Sequence, residues 1–98
     1  MNDQTLVLRK PGLIEAEVDG EIVALHVDNG TCYGFNSTAS IVWRMIEQPM
    51  TFADVRDALL RDFEVEPDVC AAQLTDLLGE LERDGLIELR PDGAAAAR

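Results

Sequence analysis

The chain has 98 residues, which is enough for one small domain with a single hydrophobic core. Its 19 acidic and 8 basic residues give a formal net charge of −11 at pH 7, and such a charge opposes binding to nucleic acid or to an anionic membrane surface. No apolar run approaches the roughly 20 residues that span a bilayer, and the amino terminus lacks the profile of a signal peptide. We therefore expect a cytoplasmic protein.

Strand patterns occupy the first third of the chain. Leu6–Leu8 is an apolar triplet that is too short to distinguish a strand from an arm packed on the domain. Leu13–Val18 alternates, with Glu15 and Glu17 on one face and apolar residues on the other, and this pattern predicts a half-buried strand whose apolar side faces the core. The apolar residues are Ile14, Ala16 and Val18.

Two turn signals set the order of these strands. Asp19-Gly20 and Asn29-Gly30 are hairpin dipeptides, because glycine tolerates positive φ. Between them, Glu21–Asp28 is nearly continuous in apolar character, which is typical of a middle strand buried on both faces. The sequence therefore predicts a three-stranded antiparallel meander in which Thr31–Phe35 forms the far edge.

Helical periodicity begins directly after this edge strand. Asn36–Thr38 supplies several possible N-caps for a first helix, which ends before Pro49. Its apolar residues recur at spacings of three and four, so we expect them to be buried. They are Ala39, Val42, Trp43 and Ile46. A second helix is predicted to start at Thr51, where Asp54 completes an acidic version of the capping box.

The last third of the chain predicts one long helix and one short strand. Pro67 fits the first position of a helix that runs to about Asp84, with Gly85 as its C-terminal glycine. Leu86–Leu89 then alternates as a short strand, and residues 91–98 are expected to form a disordered tail.

Together these elements predict an α+β domain of the winged helix-turn-helix type over residues 1–90, with a meander, three helices and a C-terminal strand. Such domains often bind DNA. Here the third helix carries one basic residue, Arg83, and six carboxylates. If this helix entered a major groove, the carboxylates would lie close to the DNA phosphates. The carboxylates are Glu66, Asp68, Asp76, Glu80, Glu82 and Asp84. DNA binding is therefore the least favoured alternative.

An edge strand at Thr31–Phe35 would leave backbone N–H and C=O groups unpaired, and these groups can accept an added peptide strand. Gly34 leaves room for another backbone to approach, and Phe35 is expected to point to the core. Beside this edge, one flank of the third helix is apolar and could form the wall of a groove, although a wide core stripe explains the same residues as well. The flank residues are Cys70, Gln73, Leu74 and Leu77.

The sequence contains no pattern that indicates catalysis, a metal site or a cofactor. Cys32 and Cys70 have no CxxC spacing and His26 is the single histidine, so a zinc site is not expected, and the cysteines are expected to be reduced and partly buried. There is neither a nucleophile motif nor a glycine-rich phosphate loop. We therefore expect a binding protein, not an enzyme.

Several short motifs, in this order and at this spacing, resemble those of the PqqD-like proteins. These are the peptide-recognition domains, or RiPP recognition elements, of pathways that modify ribosomally made peptides. The similarity spans about Leu6 to Leu89 and is greatest to the small stand-alone proteins of lasso-peptide clusters. The motifs are Asp19-Gly20-Glu21, Gly30-Thr31-Cys32-Tyr33-Gly34-Phe35-Asn36, Ile41-Val42-Trp43, Val65-Glu66-Pro67, and Leu81 with Gly85-Leu86-Ile87.

The resemblance implies that the protein binds the leader segment of a precursor peptide and presents it to a leader protease or another maturation enzyme. In such domains the leader adds as a strand beside the third strand and packs on the third helix. Carried over, the peptide-binding residues are Thr31, Cys32, Tyr33, Gly34, Phe35, Cys70, Gln73, Leu74 and Leu77. The same edge and flank could instead form a homodimer without any peptide ligand.

Overall fold

The computed structural model describes residues 2–91 and consists of six strands and three helices within that range. The strands are β1 (Leu6–Arg9), β2 (Leu13–Val18), β3 (Glu21–His26), β4 (Thr31–Gly34), β5 (Met50–Thr51) and β6 (Ile87–Arg90). The helices are α1 (Ser37–Met45), α2 (Phe52–Asp62) and α3 (Pro67–Arg83). None of the helices in the described range is both long enough and apolar enough to cross a membrane.

The strands form two antiparallel sheets. One is the predicted meander, in the order β2-β3-β4. The other has the order β5-β1-β6 and joins the two ends of the described chain, because Val7 of β1 pairs with Leu89 of β6. The N-terminal segment, for which strand and packed arm were both open, is therefore a strand. The two-residue strand β5 was not predicted, since its length gives no detectable pattern.

One hydrophobic core connects both sheets with the three helices. Val7 of β1, Ile22 of β3, Trp43 of α1 and Leu78 of α3 belong to this cluster, and each is at most 4% exposed. The apolar positions predicted for α1 are all buried: Ala39, Val42, Trp43 and Ile46.

The helix termini follow the capping signals in the sequence. The Asn36 side chain accepts the Ala39 N–H and caps α1, and the Thr51 side chain accepts the Asp54 N–H at the start of α2. Pro67 is in the first turn of α3, and Gly85 follows the helix with a φ of 77°, in the left-handed region that favours glycine.

The predicted orientation of β2 is wrong. Ile14 and Val18 are 61% and 57% exposed, and Ala16 is exposed as well. The opposite face carries Glu15, whose carboxylate accepts the Trp43 indole N–H at 3.0 Å and pairs with Arg9. Polar partners at the C-terminal end of α1 therefore hold the acidic face of β2 inward, and its apolar face lies in solvent.

The prediction that β3 is buried on both faces is also wrong. Ile22 and Ala24 are buried on the inner face, whereas Leu25 on the outer face is 37% exposed and Val23 is half-buried. The strand is the middle one of its sheet, as predicted, but no described element covers its outer side.

The predicted α+β class is confirmed, including the meander, the three helices and the final strand. The winged helix-turn-helix assignment stays a prediction. The tail predicted for residues 91–98 lies outside the described residues, apart from Pro91.

Candidate functional site

Strand β4 has one strand neighbour, β3, within residues 2–91, and we call its other side the open edge. The Phe35 N–H donates to the Ile22 carbonyl at 2.8 Å, so this pair is of the hydrogen-bonded type. Because such pairs alternate along an antiparallel ladder, Tyr33 directs its backbone groups at β3, whereas Cys32 and Gly34 direct theirs away from it. The N–H and C=O groups at the open edge therefore belong to Cys32 and Gly34.

The side chains of Tyr33 and Phe35 lie on the inner face of the sheet. Phe35 is 6% exposed, and its ring centroid is 5.2 Å from that of Trp43, so the expectation that it points to the core is confirmed. Tyr33 is half-buried, and its hydroxyl donates to the Asp84 carbonyl at 3.3 Å. This hydrogen bond joins β4 to the end of α3 and fixes the distance between strand and helix at one end of the site.

A cleft of about 310 Å³ lies between β4 and α3. The strand side is formed by the backbone from Cys32 to Asn36, and the helix side includes Leu77 and Leu81. Glu80 and Asp84 line the same cleft, so one end of the helical wall is acidic.

A second cavity of about 310 Å³ adjoins this cleft, between the start of α1 and the first half of α3. Asn36, Ala39 and Leu77 line both spaces, so the two adjoin and make up a channel whose first part borders the open edge. We call this channel the β4–α3 groove. Further lining residues of its second part are Thr38, Val42, Leu59, Phe63, Val65, Cys70, Gln73 and Leu74.

All nine predicted site residues lie in or at this groove except Thr31, which precedes it at the start of β4. They differ in exposure. Gln73 is exposed and Leu77 half-buried, whereas Cys70 and Leu74 are 5% and 2% exposed and belong to the core. Cys70 and Leu74 therefore form the floor of the groove, and Gln73 and Leu77 form its accessible wall.

Sequence reasoning missed the residues that other elements contribute to the groove. Asn36 and Ala39 were assigned only to the cap and the core stripe of α1. Phe63 follows α2 as its C-cap, is 46% exposed, and lines the groove. An aromatic residue just beyond a helix end was the available signal.

A buried serine holds the open edge in place. The Ser40 hydroxyl accepts the Ile22 N–H at 3.0 Å and donates to the Phe35 carbonyl at 3.3 Å. Ser40 is fully buried, so these two bonds satisfy polar groups that water cannot reach. They link α1 to the last pairing between β3 and the end of β4.

Strand β2 is the other edge of the meander, but its surroundings differ. Arg9, Glu15, Glu17 and Arg44 surround the space beside its inner face, and Arg44 pairs with Glu17. Charged side chains that already pair with one another offer no apolar wall to a peptide. Of the two edges of the meander, β4 is therefore the one that faces apolar residues of a helix, Leu77 and Leu81 of α3.

Neither the ionisable groups nor the thiols of the described residues suggest another chemistry. No three His, Cys, Asp or Glu side chains in residues 2–91 are grouped so that they could hold a metal ion. The hydrogen bond from Arg90 lowers the pKa of Glu88, and the bond to Asp3 raises the pKa of Arg56; neither pair lines the groove. The expectation of two partly buried thiols is wrong, because Cys32 is exposed and Cys70 is buried, although both are free.

Two solved structures share this fold. One is TbiB1 in complex with the TbiA(beta) leader peptide, which is 26% identical and has a TM-score of 0.78 over 83% of this chain and 94% of that chain. The other is lasso peptide synthetase B1 complexed with the leader peptide, which is 23% identical and has a TM-score of 0.75 over 84% and 96% of the two chains. At that identity, the second likeness concerns the fold alone.

No curated protein sequence matches the chain. A family profile does: that of Coenzyme PQQ synthesis protein D (PqqD) matches residues 21–87, from the first residue of β3 to the first residue of β6. The match includes the open edge of β4, the groove wall on α3 and more than half of the chain, and it confirms the resemblance seen in the sequence. The chain belongs to the PqqD family.

Proposed function

We propose that this protein is a non-catalytic adaptor of the cytoplasm, with residues 1–90 acting as a single recognition domain. It captures the leader segment of a precursor peptide by strand addition at β4 and presents the peptide to a separate processing enzyme. The observation that carries the proposal is the β4–α3 groove: its first part lies beside the backbone groups of Cys32 and Gly34 that point away from β3, and its second part is lined mainly by apolar residues.

In strand addition, the backbone groups and the side chains of the protein have separate roles. The groups at Cys32 and Gly34 would bond the peptide backbone, which gives affinity without reading sequence. Alternate peptide side chains would then point into the groove, where Leu77 and Gln73 meet them above a floor that includes Leu74. The groove would thus set the register and the apolar side-chain preference of the peptide.

The comparisons support a leader peptide as the ligand. TbiB1, which shares the fold and 26% of its sequence with this chain, was solved with a leader peptide bound. The other similar structure is a lasso peptide synthetase B1, also with a leader peptide. We therefore propose that the precursor belongs to a lasso-peptide type of pathway and that the processing enzyme is its leader protease or another maturation enzyme.

A titration with the synthetic leader segment of a candidate precursor peptide tests the proposal. We expect Leu77→Asp to weaken binding at least tenfold, about 1.4 kcal/mol, because a carboxylate in the groove would lose its hydration when the peptide covers it. Val69→Asp is the matched control: it adds the same charge to α3 at a residue that is 45% exposed and outside the groove. Its affinity should stay within twofold of the original chain.

Leu77 is half-buried, so thermal melts of both variants are needed to separate binding from folding. Gln73→Glu provides a second test at an exposed groove position where folding is not at stake. Unchanged peptide affinity in both groove variants would contradict the proposal. Sedimentation with and without the leader peptide tests the homodimer alternative, which requires a dimer that the leader peptide does not dissociate.

A further inference from the structure

The outer face of the β2-β3-β4 sheet is apolar. The register aligns Ile14 with Leu25 and Cys32, and Ala16 with Val23 and Gly34, so these side chains share the face that points away from the helices. We call it the outer sheet face. Its members are Ile14, Ala16, Val18, Glu21, Val23, Leu25, Cys32 and Gly34, of which one is charged.

This face is exposed across all three strands. Ile14, Val18 and Leu25 are 61%, 57% and 37% exposed. In antiparallel sheets with one solvated side, that side is normally the polar one, and here Glu15 and Glu17 lie on the opposite face, where they contact Trp43 and Arg44 of α1. Single exposed apolar residues are ordinary, but a contiguous patch of this kind marks an interaction surface.

We propose that the outer sheet face is a second docking surface, distinct from the β4–α3 groove, and that it binds the processing enzyme through an apolar patch bordered by Lys and Arg. The identity of this partner rests on the proposed function. We infer the basic border of the partner from the negative charge around the outer sheet face. Asp19 and Asp28 lie in the turns at the two ends of the face, and Glu21 lies on it. The whole chain has a net charge of −11.

The same charge argues against a second copy of the chain. Two outer sheet faces packed together would bring Glu21 and the turn carboxylates of both copies close to one another, with no described basic residue on the face to offset them. Like charges placed opposite each other disfavour such an interface.

The position of the face relative to β4 favours the enzyme that receives the peptide. A strand added at the open edge would continue the sheet, and its alternate side chains would lie level with Cys32 and Gly34 on the outer sheet face. A protein docked there would contact the adaptor and the captured peptide together. The groove lies on the inner side, so both surfaces can be occupied at once.

The experiment measures two affinities separately on the full chain: that for the synthetic leader and that for the purified processing enzyme without leader. Ile14→Glu places a charge on the outer sheet face at β2, the strand farthest from the open edge. We expect enzyme binding to fall at least tenfold and leader binding to stay within twofold. Gln48→Glu, an exposed position after α1, is the charge-matched control and should change neither affinity.

A second variant guards against misfolding as the explanation. The double substitution Ile14→Thr with Val18→Thr keeps β-branched side chains in β2 and removes apolar surface, so it should also weaken enzyme binding while the thermal melt is retained. If the partner has a basic border, added salt should weaken enzyme binding, and Glu21→Gln should reduce this salt dependence. Enzyme binding that does not change with salt would contradict the Lys and Arg border proposed for the partner.

Three results would overturn the docking proposal: no binding of the enzyme by the original chain, unchanged enzyme affinity in both β2 variants, or a dimer of the protein alone that Ile14→Glu dissociates. Each is distinguishable from failure of the proposed function. If the proposed function is wrong, the affinity measurement with the synthetic leader shows no binding.

Discussion

The Ser40 side chain connects α1 to β3 and to the end of β4, which its position in the sequence does not indicate. It lies among the buried residues of α1, and its hydroxyl connects the Ile22 N–H to the Phe35 carbonyl. Both partners lie where β3 and β4 meet the helix, next to the open edge. A small polar side chain thereby fixes the strand that is proposed to receive the peptide.

Removing this hydroxyl should destabilise the fold. In Ser40→Ala the buried Ile22 N–H loses its acceptor, and an unsatisfied buried donor costs about 1–3 kcal/mol. Urea denaturation measures the change in the free energy of unfolding. Ser37→Ala, at the exposed start of the same helix, is the control and should stay within about 0.5 kcal/mol. Equal stability of the two variants would refute this role of Ser40.

The sequence could predict the cap at Asn36 and the apolar stripe of α1, because both depend on residues three or four positions apart. It could not predict the role of Ser40. The hydrogen-bond partner of Ser40 at Ile22 is 18 positions away, and no local pattern connects them.

At the scale of elements, β2 shows what alternation can and cannot predict. The period of two correctly separated the glutamates from the apolar residues. It did not reveal which face turns inward, because that depends on Arg9 and Trp43, which bind Glu15 from β1 and α1. The Arg9 guanidinium also lies 4.4 Å from the centre of the Trp43 ring. The favourable interactions of this polar and aromatic cluster outweigh the cost of exposing the Ile14 and Val18 side chains to solvent.

A pair of alanine variants tests this explanation. Glu15→Ala should lower the free energy of unfolding by about 1–2 kcal/mol, because the buried Trp43 indole N–H loses its acceptor and Arg9 loses a carboxylate. Glu17→Ala, on the same face and strand, removes only a solvent-exposed ion pair with Arg44 and should cost less than about 0.5 kcal/mol. Indistinguishable denaturation curves for the two variants would show that the cluster does not hold β2.

The groove shows the same limit of sequence reasoning at the level of several elements. Leu77 and Gln73 could be identified from the apolar flank of α3, and Thr31–Phe35 from its position as the last strand before the helices. That Cys70 and Leu74 are core residues depends on how deeply α3 packs against α1 and α2. That depth follows from the tertiary arrangement, which the helical period alone does not encode.

At the scale of the whole molecule, the second sheet brings together residues about 80 positions apart. Leu6 pairs with Arg90 and Leu8 with Glu88, and these pairings join the start of the described chain to the end of the matched family region. Local patterns predicted the C-terminal strand, left Leu6–Leu8 open between a strand and a packed arm, and did not reveal that the two segments pair. No other described strand pairs with either edge of the meander, and its outer sheet face is exposed.

Two surfaces of that meander are assigned to two partners. In our proposals the open edge of β4 with its groove binds the peptide, and the outer sheet face binds the enzyme that processes it. The net charge of −11 supports the same division, because it disfavours nucleic acid and a second copy while it favours a partner with a basic border.

Amide hydrogen exchange, measured residue by residue with and without saturating leader peptide, tests strand addition at β4 most directly. The Cys32 and Gly34 amides, which point away from β3, should exchange more slowly in the complex because they gain acceptors from the peptide. The Tyr33 amide, already directed at β3, is the internal control and should change much less. Protection confined to Leu13–Val18, with Cys32 and Gly34 unchanged, would contradict the account and place the peptide at the opposite edge of the sheet.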